Sequence, residues 1–242
     1  MERSLKHKGD GHRKRLRERF SQSGLSGFQD YEVIELLLTL TTPRKDCKES
    51  AKALLKRFKT IQGVFEASTS ELSEISGVGP VNQFSIKLIK EVATRYLEAR
   101  VIGKDAVSNS NELIEFLNIA IRDKRKECFV AVFLNAKNKV ISSEILFEGS
   151  LTSSSVYPRE VVQEALNNKA ASIIFAHNHP SGEPEPSKED IAITRQLVFA
   201  CRVMGITVHE HLVIGSDGHY SFADHGFILQ FNQEFDKRNL KN

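Results

Sequence analysis

Cysteine is scarce in this chain, and long apolar runs are missing from it. Only three of the 242 residues are cysteines. Cys47, Cys128 and Cys201 lie too far apart for a metal knuckle, and their odd number does not suggest a disulfide framework. No apolar stretch approaches the roughly 20 residues that a membrane-spanning helix needs; Val33–Leu38 is typical, and Glu35 interrupts it. The basic N-terminus has no apolar core of the kind a secretory signal carries. No internal repeat or low-complexity segment is found. These absences make a reduced, cytoplasmic protein with no membrane partner the expectation. What remains, 40% hydrophobic and 27% charged, is ordinary globular composition, and the length suffices for one large or two modest domains.

The net charge of +3 conceals an asymmetry. Residues 1–104 hold 20 Lys and Arg against 13 Asp and Glu, whereas residues 105–242 hold 14 against 18. Eight of the basic residues fall within the first twenty positions. A basic front and an acidic back imply two units with different partners, the front one suited to phosphate.

The front reads as short helices without strand signals, an all-α domain over residues 1–104. Arg13–Phe20 is a basic helical stretch with apolar Leu16 and Phe20 four apart. Tyr31–Leu40 is a buried-looking helix stopped by Thr41-Thr42-Pro43. Lys48–Phe58 places Ala51, Leu54, Leu55 and Phe58 on one face. Ser68-Thr69-Ser70-Glu71 has the form of a capping box and opens a short helix ending near Ile75. Beyond Gly77-Val78-Gly79-Pro80, a longer amphipathic helix runs to about Glu98, with Phe84, Leu88, Val92 and Tyr96 on a face.

Near Gly103 the pattern changes. Phe129–Leu134 is too apolar and β-branched for a surface helix, and with Val140–Phe147 it forms a hairpin across Asn135-Ala-Lys-Asn. A helix follows from Pro158, then a buried strand Ala171–His177, a helix Ser187–Met204 and a strand Ile206–Ile214. Strands alternating with helices give an α/β layered domain over residues 105–228, followed by a tail, 229–242.

The chemistry concentrates in Ala176-His-Asn-His-Pro-Ser-Gly-Glu-Pro-Glu-Pro-Ser-Lys-Glu-Asp190. Residues i and i+2 of a strand share a face, so His177 and His179 converge where Pro180 stops the strand. Ser187 is placed as an N-cap, which puts Asp190 in the first turn of the next helix. Two imidazoles and a returning carboxylate supply three corners of a tetrahedron. Zn2+ accepts that set and keeps the fourth corner for water, as catalytic sites do.

His-x-His-Pro, six residues, then Ser-x-x-Asp resembles the JAMM (MPN-positive) metalloprotease signature. The flanking Ser-Val-Tyr-Pro-Arg-Glu-Val and Ile-Phe-Ala-His-Asn-His-Pro-Ser-Gly resemble the bacterial RadC family in particular, a likeness that extends over the helical front. The resemblance implies a zinc-binding α/β fold laid out like the cytidine deaminases, with His177, His179 and Asp190 as ligands. It implies Ser187 as the oxyanion stabiliser and an upstream glutamate, here Glu127 at the head of the strand Cys128–Leu134, as general base. Glu144, Glu148 and Glu160 are next in line for that role. His209-Glu210-His211 also alternates on a strand, but no carboxylate follows at matching spacing, and it is read as structural. No Cys-x-x-Cys supports a zinc deaminase.

In the front half, Leu72-Ser-Glu-Ile-Ser-Gly-Val-Gly79 followed by a helix resembles a helix-hairpin-helix. That motif implies backbone N–H groups at Gly77 and Gly79 holding a phosphate, with Arg13 and Arg15 adding charge, hence non-specific DNA binding. Pro80 removes one donor, and a plain glycine turn or a protein-binding surface is the alternative. Three functions stand in order: a zinc hydrolase of peptide or isopeptide bonds, a metal-dependent nuclease, and a DNA-associated binding module. The residues do not select among peptide substrates or oligomeric states.

Overall fold

The computed structural model describes residues 10–43, 45–149 and 156–239. The first nine residues, with Arg3, Lys6 and Lys8 of the basic run, lie outside them, as do Ser155 and residues 240–242. By their contacts the residues fall into two units, divided between Val92 and Ala93. Among the described residues, no helix is long and apolar enough to cross a membrane.

The first unit is helical: α1 Asp10–Ser23, α2 Asp30–Thr41, α3 Lys48–Phe58, α4 Ile61–Glu66, α5 Thr69–Ser73 and the start of α6, Pro80–Val101. Its core joins Ile34 and Leu38 of α2, Ala51 and Leu54 of α3, Val64 of α4, Leu72 of α5 and Ile86 of α6. The Ser68 capping box forms as expected, its backbone N–H reaching Glu71 Oε2 at 2.9 Å. Gly77 holds φ +84°, and a Cβ there would meet Ser50 Oγ at 2.4 Å, so the hairpin requires glycine.

On α6 the apolar face is not the buried one. Phe84, Leu88, Val92 and Tyr96 are 46–68% exposed, while Asn82, Gln83 and Ile86 are buried. Polar anchors at the helix start decide this. Asn82 Nδ2 donates to the hydroxyls of Thr41 and Thr42 at 2.7 and 2.8 Å, and Gln83 Nε2 donates to Val78 O at 3.3 Å. These bonds rotate residues 82, 83 and 86 inward and turn the apolar stripe out.

The second unit contains α7 Ser110–Leu117 with a π-helical turn Asn118–Arg122, then β1 Cys128–Leu134, β2 Val140–Glu148, α8 Pro158–Asn167, β3 Ser172–Asn178, α9 Lys188–Val203, β4 Thr207–Gly215, β5 Gly218–Ser221 and α10 Phe227–Asn239. The sheet order is β2-β1-β3-β4-β5, with β3 and β4 parallel and the other pairs antiparallel. The hairpin turn between β1 and β2 places Asn138 at φ 55°, a conformation asparagine tolerates.

β1 and β3 are buried along their whole lengths because each face meets its own core. Phe129, Ala131, Phe133, Ile173 and Phe175 point toward α8, α9 and α10; Val130, Val132, Leu134, Ile174 and Ala176 point toward α7. The unit begins inside α6 rather than at residue 105, because Val101 belongs to the α7-side core and Glu98 accepts from Ser143 Oγ at 2.7 Å. Residues 229–239 belong to α10, whose Phe231 is buried in the other core, rather than to a tail.

Candidate metal centre

Pleat parity puts His177 on the α9 side of β3, and His179 follows it just past the strand end. Their ring centroids lie 4.9 Å apart. The third member arrives through a helix cap. Ser187 Oγ accepts from the Asp190 backbone N–H at 3.1 Å, while Asp190 Oδ2 accepts from the Ser187 N–H at 2.8 Å and from its hydroxyl at 2.6 Å. With the carboxylate so held, Oδ1 lies 3.3 Å from His177 Nε2 and Oδ2 lies 3.4 Å from His179 Nε2. The two Nε2 atoms are 3.1 Å apart.

These separations test whether a metal fits. Donors bound to tetrahedral zinc at about 2.0–2.1 Å sit roughly 3.3–3.4 Å from one another. The nearest approaches of the three side chains, 3.1, 3.3 and 3.4 Å, are of that size; the last two end on different oxygens of Asp190, and one donor atom from each side chain lies within 4.8 Å of the others. His179 Nδ1 lies 2.8 Å from Glu183 O, an acceptor only, so the neutral ring carries its proton there and leaves Nε2 as a lone pair. Two imidazole Nε2 atoms and a carboxylate gathered together are a donor set suited to a divalent cation.

The electrostatics differ between the two rings. Burial, working against the attraction of Asp190, pushes His177 down to about 4, so this imidazole stays neutral. Asp190's hydrogen bond raises His179, outweighing its partial burial. For Asp190, burial alone would raise the carboxyl, but the His179 bond, the electrostatic influence of neighbouring His177 and the Ser187 bonds hold it well below the usual range.

A cavity of about 560 Å³ opens over the cluster and is lined by Arg125, Lys126, Glu127, His179, Ser187 and Asp190, among others. β1 pairs antiparallel with β3 so that Phe129 faces His177. Continuing that register brings Glu127 level with His179, and the Glu127 charge acts on that ring. Among the described residues, Glu144, Glu148 and Glu160 do not line this cavity. Glu144 instead accepts from Asn168 Nδ2 at 3.0 Å, and Glu160 lies 3.7 Å from Arg159.

Sequence reasoning missed the residues behind the cluster. Asn178, between the histidines and on the opposite face, is fully buried. Its Oδ1 accepts from Cys128 N–H at 2.7 Å, and its Nδ2 donates to Lys124 O at 3.0 Å and Lys126 O at 3.2 Å. One amide thus pins the backbone on both sides of Glu127. The pair read as structural, His209 and His211, divides. His209 lies 2.9 Å from Asn138 Oδ1, whereas His211 Nε2 lies 2.8 Å from His177 Nδ1, directly behind the cluster. A β-bulge between the β3 and β4 registers separates the two histidines' environments, and no residue spacing announces it.

In the first unit, Gly79 N–H donates to Asn82 Oδ1 at 3.1 Å, Asn82 reaches Thr42, and Arg13 Nη2 donates to Thr42 O at 2.8 Å. Two of the groups expected to face a phosphate are therefore joined in one internal network. Gly77 forms the hairpin, and Arg15 is exposed.

A mixed sheet with strand-end histidines and a helix-borne aspartate is the layout of the JAMM-type metal-dependent hydrolase fold. The family model described as the RadC-like JAB domain matches residues 107–227, and that described as the UPF0758 N-terminal domain matches residues 11–84. This chain belongs to the RadC family.

Proposed function

We propose that this protein is a zinc-dependent hydrolase of amide or isopeptide bonds, with a peptide or protein as substrate. The observation that carries the reading is two imidazole nitrogens and a carboxylate clustered so that one donor atom from each lies within 4.8 Å of the others, opening onto a cavity that also holds a second carboxylate. Zinc held by His177, His179 and Asp190 would polarise the substrate carbonyl and acidify water. Glu127, in the same cavity, takes the proton from the attacking water and passes it to the leaving amine. Ser187 donates to the developing oxyanion by turning its hydroxyl away from Asp190, whose Oδ2 keeps the Ser187 backbone N–H. Arg125 and Lys126 favour a substrate with an acidic group near the bond cleaved.

Those two cations are also the observation that favours a nuclease. It ranks second because one three-ligand site lacks the metal pair that brackets both oxygens in phosphodiester displacement. Purified protein loaded with zinc and challenged with peptide, isopeptide and nucleic-acid panels separates the two. Peptide or isopeptide cleavage abolished by Glu127→Gln supports the first reading; nucleic-acid cleavage alone replaces it with the second. DNA binding by the helical unit is a separable proposal that rests on exposed Arg15 and Lys14. Salt-sensitive binding to duplex DNA, weakened by Arg15→Ala, is its test.

A further inference from the structure

His177 is enclosed by protein behind the site. Its Nδ1 lies 2.8 Å from His211 Nε2, and His211 Nδ1 lies 2.6 Å from Thr194 Oγ1. The Thr194 hydroxyl in turn lies 2.5 Å from the Asp190 carbonyl oxygen, one turn back along α9. His177, His211 and Thr194 are each 0% exposed, so solvent cannot rearrange these bonds. Phe222 stacks on the His211 ring at 5.0 Å and Phe129 meets it edge-on at 5.4 Å, which holds the imidazole in one plane.

The protons along this line have one consistent arrangement. A carbonyl only accepts, and threonine has a single hydroxyl proton, so Thr194 donates to Asp190 O. Thr194 Oγ1 then accepts from His211 Nδ1–H, which leaves His211 Nε2 as a lone pair. That lone pair accepts from His177 Nδ1–H. His177 Nε2 is left bare, and it is the atom that faces Asp190 Oδ1 and His179 Nε2. With the protons reversed, Thr194 would oppose Asp190 O oxygen to oxygen at 2.5 Å. His177 would then present an N–H to the site, which cannot ligate.

We propose that His211, oriented by Thr194, is a positioning residue that fixes His177 in its Nδ1–H tautomer and thereby makes His177 Nε2 a metal ligand. The inference rests on the metal reading above. Asp190 stands at both ends of the device, its carboxylate beside His177 Nε2 and its carbonyl under Thr194. One turn of α9 therefore sets two of the three ligands.

The relay is legible without metal. In the full-length metal-free protein at neutral pH, long-range proton–nitrogen correlation spectra distinguish Nδ1–H from Nε2–H imidazoles. Wild type and Thr194→Ser are expected to show His177 and His211 as single Nδ1–H tautomers, and Thr194→Val to show His177 mixed or reversed. Under competition with a chromophoric chelator, Thr194→Val then holds zinc about 10–100-fold more weakly than wild type, while Thr194→Ser stays within about threefold. An Nε2–H tautomer at wild-type His177 overturns the proposal, as does a folded Thr194→Val protein with wild-type zinc affinity. If Thr194→Val does not fold, the wild-type spectrum still decides. Wild-type protein that binds no zinc while His177 stays locked as Nδ1–H refutes the metal reading alone and leaves the tautomer relay standing.

Discussion

A ligand that binds only the folded second unit must raise that unit's melting temperature, and the structure sets the scale. The three donor atoms come from β3, the segment just after it and α9, and unfolding scatters them. Zinc at about 100 times its dissociation constant therefore adds about 2.7 kcal/mol to the stability of the unit that carries the site. That unit spans Ala93–Asn242. A domain of about 150 residues gains roughly 2–4 °C per kcal/mol, so the expected rise is about 5–11 °C. Each further tenfold in zinc adds about 1.4 kcal/mol, or roughly another 3–6 °C.

The chain has no tryptophan, so calorimetry or far-ultraviolet dichroism suits the measurement better than intrinsic fluorescence. His179→Ala is the control because His179 is partly exposed, whereas His177 lies in the core and its loss would confound binding with folding. The expected result is a zinc-dependent transition in wild type, reversed by a chelator and absent in His179→Ala. A wild-type melt indifferent to zinc would refute the reasoning. An undiminished shift in His179→Ala would place the metal elsewhere.

Four further outcomes follow from the same geometry. Glu127→Gln should retain zinc in the chelator competition while hydrolysis of any substrate found falls by about 10²–10⁴-fold. Asn178→Ala leaves the buried Cys128 N–H without its acceptor; chemical denaturation should report a loss of about 1–3 kcal/mol, more if the Lys124–Cys128 backbone loosens. Zinc affinity should fall with acid, because His179, raised by Asp190, must give up a proton to the metal, while His177 near 4 has none to give. Calorimetry in buffers of different ionisation enthalpy should count about one proton released per zinc just below the His179 titration. Cys47, Cys128 and Cys201 are all buried, and burial pushes Cys201 up to about 12; a thiol reagent should label none of them until denaturant is added.

The clustering of His177, His179 and Asp190 was legible in the sequence because each part obeys a local rule. Strand parity pairs His177 with His179, Pro180 ends the strand, and the capping-box spacing from Ser187 to Asp190 starts the helix. The two-unit layout was legible for a similar reason, since hydrophobic period separates the helical front from strands buried on both faces. What escaped depends on which side of an element faces inward. The spacing of Phe84, Leu88, Val92 and Tyr96 describes a stripe but not its direction, and Asn82 and Gln83, two polar residues, settled that by bonding to Thr41, Thr42 and Val78. His211 and Thr194 escaped because they meet His177 only through the pairing of β4 with β3 and the packing of α9 against the sheet. Asn178 escaped although it lies inside the motif. Its side chain serves the opposite face, where it holds the backbone around Glu127, so the residue between the two histidines is the one that ties Glu127 to them.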